Sequence, residues 1–271
     1  MSWKRALEAD ARLAARNATK IRAALRQSIN PESIAEAYRQ TQPQPTGNLA
    51  QTRARARAWA IINVRVNLEA FRQVLIRVWA EGYILGNLAA EEAVERARKR
   101  QKAPVTGINW ATWKPGDDVA ALLVKPPKAF LKLLEQFGIT LKGFSETTLN
   151  DIGNSLGESI ELGLSDKQTA KRLRQYIASP ARALTIAVTE QNRAISRATV
   201  NRYKEMGVEK NEWLASDPCD ECEQNDGQIV PVGSAFASGD DQPPVHPNCR
   251  CVLLPVIRGM EDVNENYITQ M

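Results

Sequence analysis

The sequence predicts a mainly α protein: a helical N-terminal half, a helical middle unit, and a small irregular α+β lobe at the C-terminal end, stapled by a metal ion or by disulfides. Three observations carry that expectation. Apolar residues recur at helical spacing through most of the first 206 positions. Prolines and glycines gather at 43–47, 104–116 and 126–127, where they divide one helical run from the next. All four cysteines and the single histidine lie between Cys219 and Cys251, in a stretch too rich in Gly, Pro, Ser and Asp to bury a core of its own, so it needs a staple.

Residues 2–28 read as an amphipathic helix with Ala6, Leu7, Leu13, Ile21 and Leu25 on its apolar stripe and Asp10 interrupting it. Asn30-Pro31 starts a second helix, Asn as cap and Pro at the first position. From Asn48 to about Lys102 the pattern is one long helix, which Gly82 and Gly86 are expected to kink or split. Residues 103–127 read as an irregular connector whose Trp110 and Trp113 pack onto a neighbour. A short helix follows at 128–137, then one capped by Ser145 and running to about Leu162, where Gly153 and Gly157 mark close helix approach. Ser165–Gln168 is a capping box for the next helix. Ser179-Pro180 opens a third that ends near Gly207. In it, Glu190 among apolar residues calls for a basic partner, Arg193 or Arg197. Short strands are expected at 211–216, 228–232 and 251–256. The segments are therefore 1–102 (basic helical region), 103–127 (connector), 128–210 (helical core), 211–257 (Cys/His lobe) and 258–271 (acidic tail).

Charge divides unevenly along the chain. Residues 1–102 hold 19 basic and 9 acidic side chains, a net of +10, whereas residues 211–271 hold 2 and 11, a net of −9. The basic front can face nucleic acid or an acidic protein surface. The acidic end argues against a metal finger that grips DNA, because phosphate contacts need Lys and Arg. No run of eighteen apolar residues exists, so no membrane span is expected, and the charged start is unlike a signal peptide.

Cys219-x-x-Cys222 followed by His246-x-x-Cys249-x-Cys251 has the spacing by which two knuckles pinch one tetrahedral ion, zinc above all. Zinc takes four of these five donors. Cys219 and Cys222 form the firm pair, completed either by Cys249 and Cys251 or by His246 with one of them. Disulfides formed in an oxidising environment are the competing staple. A catalytic metal fits poorly, since the surplus of thiolates suits a closed site and the lone histidine leaves few acid–base groups.

One set of motifs goes further. Ile186-Ala187-Val188-Thr189-Glu190, Tyr203–Val208, Glu212–Ala215, Cys219-Asp220-Glu221-Cys222, Asp226-Gly227-Gln228 and Pro243-Pro244-Val245-His246-Pro247-Asn248-Cys249-Arg250-Cys251 together resemble the phage Mu F-like minor head morphogenesis proteins, over roughly 145–256. Val188 departs from the family, which more often has Arg before Thr-Glu. The resemblance implies a non-enzymatic minor capsid protein of a tailed phage, bound at the portal vertex of the virion head after assembly in the host cytoplasm. Its implied roles are head assembly and genome packaging or DNA ejection. The implied partners are the portal protein, with major capsid or scaffold protein and viral DNA as further candidates. The chain ends too soon after Cys251 for the toxin or ADP-ribosyltransferase domain that some relatives carry. The competing expectation from chemistry alone is a zinc-stabilised nucleic-acid-binding protein.

Overall fold

A computed structural model describes residues 2–99, 109–135, 137–216 and 219–257. Among them the elements are α1 (Ser2–Gln27), α2 (Pro31–Gln40), α3 (Leu49–Asn63), α4 (Glu69–Lys99), α5 (Gly116–Val124), α6 (Lys128–Glu135), α7 (Phe137–Glu161), α8 (Asp166–Ile177), α9 (Pro180–Glu205), β1 (Lys210–Leu214), α10 (Asp220–Glu223), β2 (Ile229–Pro231) and β3 (Val252–Val256). The expected mainly helical fold with a small C-terminal sheet is what forms. No helix among the described residues is long and apolar enough to cross a membrane. The chain divides into two compact units, residues 1–17, 76–134 and 185–271 in the first and residues 18–75 and 135–184 in the second, with boundaries inside α1, α4, α6 and α9.

The second unit is built on α3 against α7. Gly153 and Gly157 lie where a Cβ would meet α3 backbone: 2.7 Å from Arg57 N at Gly153 and 2.7 Å from Arg53 Cα at Gly157. The expected close approach is therefore present, and α3 is the neighbour. Ala56 and Ala60, both fully buried, meet Ile152 and Leu156 there, and Leu173 and Ile177 of α8 close the core. Local signals set the ends. Asn30 Oδ1 accepts from Ser33 N–H at 3.1 Å, with Pro31 at the first helical position. Ser165 and Gln168 form the expected capping box. Arg53 and Arg172 both pair with Glu158, Arg39 with Asp166 at 2.9 Å, and Arg182 with Asp151 at 2.7 Å.

The first unit packs the later part of α4 against α9. Gly82 and Gly86 do not split α4, which runs unbroken through them. They let α9 approach: a Cβ at Gly82 would stand 2.8 Å from Gln191 O, and one at Gly86 2.8 Å from Ile195 Cα. The break in the expected long helix falls instead at Val64–Leu68, where Val64 turns extended and Asn67 Oδ1 accepts from Glu69 N–H at 3.0 Å. Two further expectations are corrected. Residues 116–124, expected to be irregular, form α5. Ser145 does not cap α7, which already starts at Phe137; Thr147 and Thr148 donate back to the carbonyls of Gly143 and Phe144, as mid-helix hydroxyls do. Trp110 is buried against Ala6, Leu13, Leu85 and Ala89, and its indole N–H donates to Glu92 at 2.6 Å. Arg100, Lys102, Pro104, Gly107 and the acidic tail at 258–271 lie outside the described residues.

The sheet has the order β2-β1-β3 and is antiparallel throughout, with Trp213 opposite Leu253 and Glu212 opposite Ile229 and Leu254. Trp213 meets Phe236 edge-on, ring centres 5.0 Å apart. Around this pair Cys222, Cys249, Cys251 and Leu253 share a core with Val200 and Tyr203 of α9 and Ala90 and Val94 of α4. The lobe thus completes a core begun by the two long helices, which explains how so short a segment stays folded.

Candidate metal centre

The first knuckle is α10 with its preceding residue. Cys219 O accepts from Cys222 N–H at 2.9 Å and Glu223 N–H at 2.8 Å, which turns the chain so that both sulfurs face the same way. The second knuckle is the turn His246–Cys249. Asn248 sits in the left-handed region at φ 66°, a conformation Asn tolerates better than most residues, and Cys249 N–H closes the turn on His246 O at 3.3 Å.

These two turns bring all five expected donors together. His246 Nε2 stands 3.2 Å from Cys219 Sγ and 3.0 Å from Cys222 Sγ, and Cys222 Sγ stands 3.9 Å from Cys249 Sγ. Cys219, Cys222 and His246 form one group whose donor atoms lie mutually within 4.8 Å; Cys222, Cys249 and Cys251 form another. Cys222 belongs to both. His246 Nδ1 lies 2.8 Å from Pro247 O, and donating there leaves Nε2 with its lone pair toward the sulfurs. All four cysteines are free thiols, and 3.9 Å between Cys222 and Cys249 is nearly twice a disulfide bond of about 2.05 Å.

The donor set can hold a metal. A tetrahedral zinc with bonds of about 2.3 Å to sulfur and about 2.0 Å to nitrogen needs donor edges of about 3.5–3.8 Å, close to the separations found. The electrostatics agree. Burial pushes the Cys222 thiol up to about 12, and hydrogen bonding with Cys251 raises Cys249 further, while the Cys249 thiol donating to Cys251 holds that sulfur down at about 6. Three sulfurs in a dry pocket cannot each ionise alone, and a divalent cation is the natural counter-charge. Around them Asp220, Glu221, Glu223 and Asp226 are exposed, and Arg250 is the sole Lys or Arg of residues 211–257.

Helix α9 supplies the wall behind the second knuckle. Thr189 Oγ1 accepts from Asn248 N–H at 2.8 Å, and Asn192 Nδ2 donates to the carbonyls of Cys249 at 2.8 Å and Cys251 at 3.3 Å. Tyr203 donates its hydroxyl to Leu253 O at 2.9 Å. Sequence reasoning did not find Asn192, because a polar residue inside a helix gives no sign of its distant partner. Glu190, next to Thr189, is ion-paired as expected, with Arg193 at 3.1 Å, and also accepts from Trp79 Nε1 at 3.0 Å. Burial raises its pKa, with Arg193 opposing. It faces α4 rather than the sulfurs, so it is a structural carboxylate. Arg197 instead reaches Asp241, at 3.9 Å.

Residues 150–254 match the family model of Phage Mu protein F like protein. That segment belongs to the Mu F-like family. It contains both knuckles, β1, β2, the start of β3 and the whole of α9, so the candidate metal centre lies inside the Mu F-like part of the chain. A protein of Haemophilus influenzae, itself uncharacterised, is 29% identical over 161 residues, covering 56% of this chain and 35% of its own length. The chain therefore spans about a third of that relative. No solved structure matches.

Proposed function

We propose that this chain is a minor head protein of a tailed phage, structural rather than catalytic, held in the virion head at the portal vertex and bound there to the portal protein. The observation that carries the reading is the Mu F-like match over residues 150–254, which takes in the site and the helix behind it. Its metal is structural zinc, drawn from Cys219, Cys222, His246, Cys249 and Cys251, and it staples the 211–257 lobe that follows the helical core at 128–210. Residues 1–102, with 103–127 as their connector, are the partner-facing region, and the 258–271 tail adds acidic charge. Scaffold or major capsid protein and viral DNA are the other contacts such a position offers, with packaging or ejection as the stage at which DNA passes.

A DNA-binding role has one observation in its favour: residues 18–75 and 135–184 hold 15 basic and 9 acidic side chains, a net of +6. Several of those arginines already pair with carboxylates of the same unit, which favours a protein partner over a phosphate backbone. The test is co-sedimentation. The chain should appear in purified heads and travel with portal protein when the two are co-expressed. Heads that lack it, or a portal that fails to retain it, sink the reading. Low-salt DNA binding that falls steeply with added salt, without portal binding, would install the nucleic-acid reading instead.

A further inference from the structure

We infer that Thr189 and Asn192 of α9 are positioning residues for the metal, holding the second knuckle in its ligating shape before the ion arrives. The inference rests on the metal reading proposed above.

The second knuckle has little to hold it from within. Its turn places Asn248 at positive φ and is closed by a single long bond, Cys249 N–H to His246 O at 3.3 Å. Cys249 and Cys251 bracket Arg250, and their sulfurs must face one ion. Helix α9 holds this stretch at three backbone atoms. The Asn192 amide donates to the carbonyls of both cysteines, fixing the Cys249–Cys251 segment as one rigid step. The Thr189 hydroxyl takes the N–H of Asn248, the residue whose backbone makes the turn. Both side chains are themselves held. Thr189 donates to Thr185 O at 2.7 Å, and Asn192 Oδ1 lies 3.2 Å from Ser196 Oγ. Polar groups buried on a helix face lower stability unless they are hydrogen-bonded, and here each is matched to the backbone that carries the sulfurs. The first knuckle is different: its turn closes on carbonyls of its own residues, Cys219 and Cys222. One half of the donor set is thus held by a helix, and the other half by its own turn. Outer partners of metal ligands typically govern affinity in this way.

The test uses the full chain and zinc alone, with a chromophoric chelator as competitor. Thr189→Val and Asn192→Ala should each bind zinc about 10–100-fold more weakly than the unaltered chain, while Thr189→Ser stays close to it. Cobalt substituted for zinc should give the same absorption spectrum in all four proteins, because the ligands themselves are unchanged. In the zinc-free chain the Asn248 and Cys249 amides should still exchange slowly with solvent. Equal zinc affinity in folded Thr189→Val and Asn192→Ala overturns the inference and leaves the metal reading intact. So does free exchange of the Asn248 amide in the zinc-free chain with protection only after zinc is added; this measurement decides the matter even where a variant does not fold. A chain that binds no zinc overturns both readings.

Discussion

Gly143, Gly153 and Gly157 lie on the same helix, α7, and the same substitution should act on them with opposite sign. A Cβ at Gly157 would lie 2.7 Å from Arg53 Cα, 2.9 Å from Arg53 N and 3.1 Å from Thr52 C, all backbone atoms of α3. Ordinary carbon contacts are about 3.5–4.0 Å, so α3 must move by nearly 1 Å, and no side-chain rotation relieves the clash. Overpacking of this kind costs about 1–3 kcal/mol. The gain in helix propensity from Gly to Ala returns about 1 kcal/mol. Because the obstacle is backbone, the upper part of the range applies, and Gly157→Ala should be destabilising by about 1–2 kcal/mol net. At Gly143 an added Cβ meets nothing within 4 Å and φ is not positive, so only the propensity term remains and Gly143→Ala should be stabilising by about 0.5–1 kcal/mol. Urea unfolding followed by far-ultraviolet circular dichroism measures both. If Gly157→Ala is as stable as the unaltered chain, or if the two variants shift the midpoint in the same direction, α3 and α7 are not in backbone contact and the packing argument fails.

Removing the cysteine shared by both donor groups should matter most: on the proposed zinc reading, Cys222→Ser should abolish zinc retention measured by metal analysis, and exhaustive chelation should expose Trp213, seen as a red shift in fluorescence. Glu190→Ala should be destabilising by about 2–3 kcal/mol, since it removes the acceptor of the Trp79 N–H and an ion-pair partner of the half-buried Arg193. Glu190→Gln keeps an acceptor for Trp79 and should lose clearly less in the same unfolding assay. Asp10 gives a pH test. Burial raises its carboxyl to about 6, while the Gln191 side-chain donor and the Arg250 charge oppose the rise. A raised carboxyl favours the protonated folded state, so its contribution is full below the ordinary value near 3.8 and is lost as pH climbs through 6. Two units correspond to at most about 3 kcal/mol, reduced to about 1–2 by partial solvent exposure. Asp10→Asn should therefore be near neutral at pH 4 and stabilising by about 1–2 kcal/mol at pH 8; an equal effect at both pH values would refute the assignment.

What the sequence disclosed, and what it withheld, follows from the range of the interactions. Caps and turns are local, so Asn30-Pro31, Ser165–Gln168 and Gly207 were readable as they stand. The donor spacing was likewise readable, because a ligand set is written as residue types at short intervals. Gly82 and Gly86 misled because a glycine in a helix has two meanings, a weak point or a contact point, and only the presence of α9 opposite them decides between these. The break at Val64–Leu68 carried no Gly or Pro to announce it. Trp110, read only as packing on an unknown neighbour, gains its place from α4 and from α1, the latter far from it in sequence. Asn192 was silent for the same reason: its partners, the carbonyls of Cys249 and Cys251, are 57 and 59 residues away.

The charge distribution looks different once pairs are drawn. The basic front of the chain suggested a surface for phosphate, yet Arg53 is tied to Glu158, Arg39 to Asp166, Arg16 to Glu81 at 3.0 Å, and Arg96 to Glu92 at 3.2 Å. Arg96 is itself buried, so part of the basic helical charge is interior and cannot reach a ligand. The acidic lobe shows the reverse: Asp220, Glu221, Glu223 and Asp226 are all exposed beside the sulfurs. A protein several of whose positive charges are spent on its own carboxylates, and whose acidic C-terminal lobe repels phosphate, is better suited to seat against another protein than to hold a nucleic acid. If so, raising salt from 50 to 200 mM should weaken its retention on portal protein far less than the 10³–10⁵-fold loss expected of a chain bound through 6–10 phosphates.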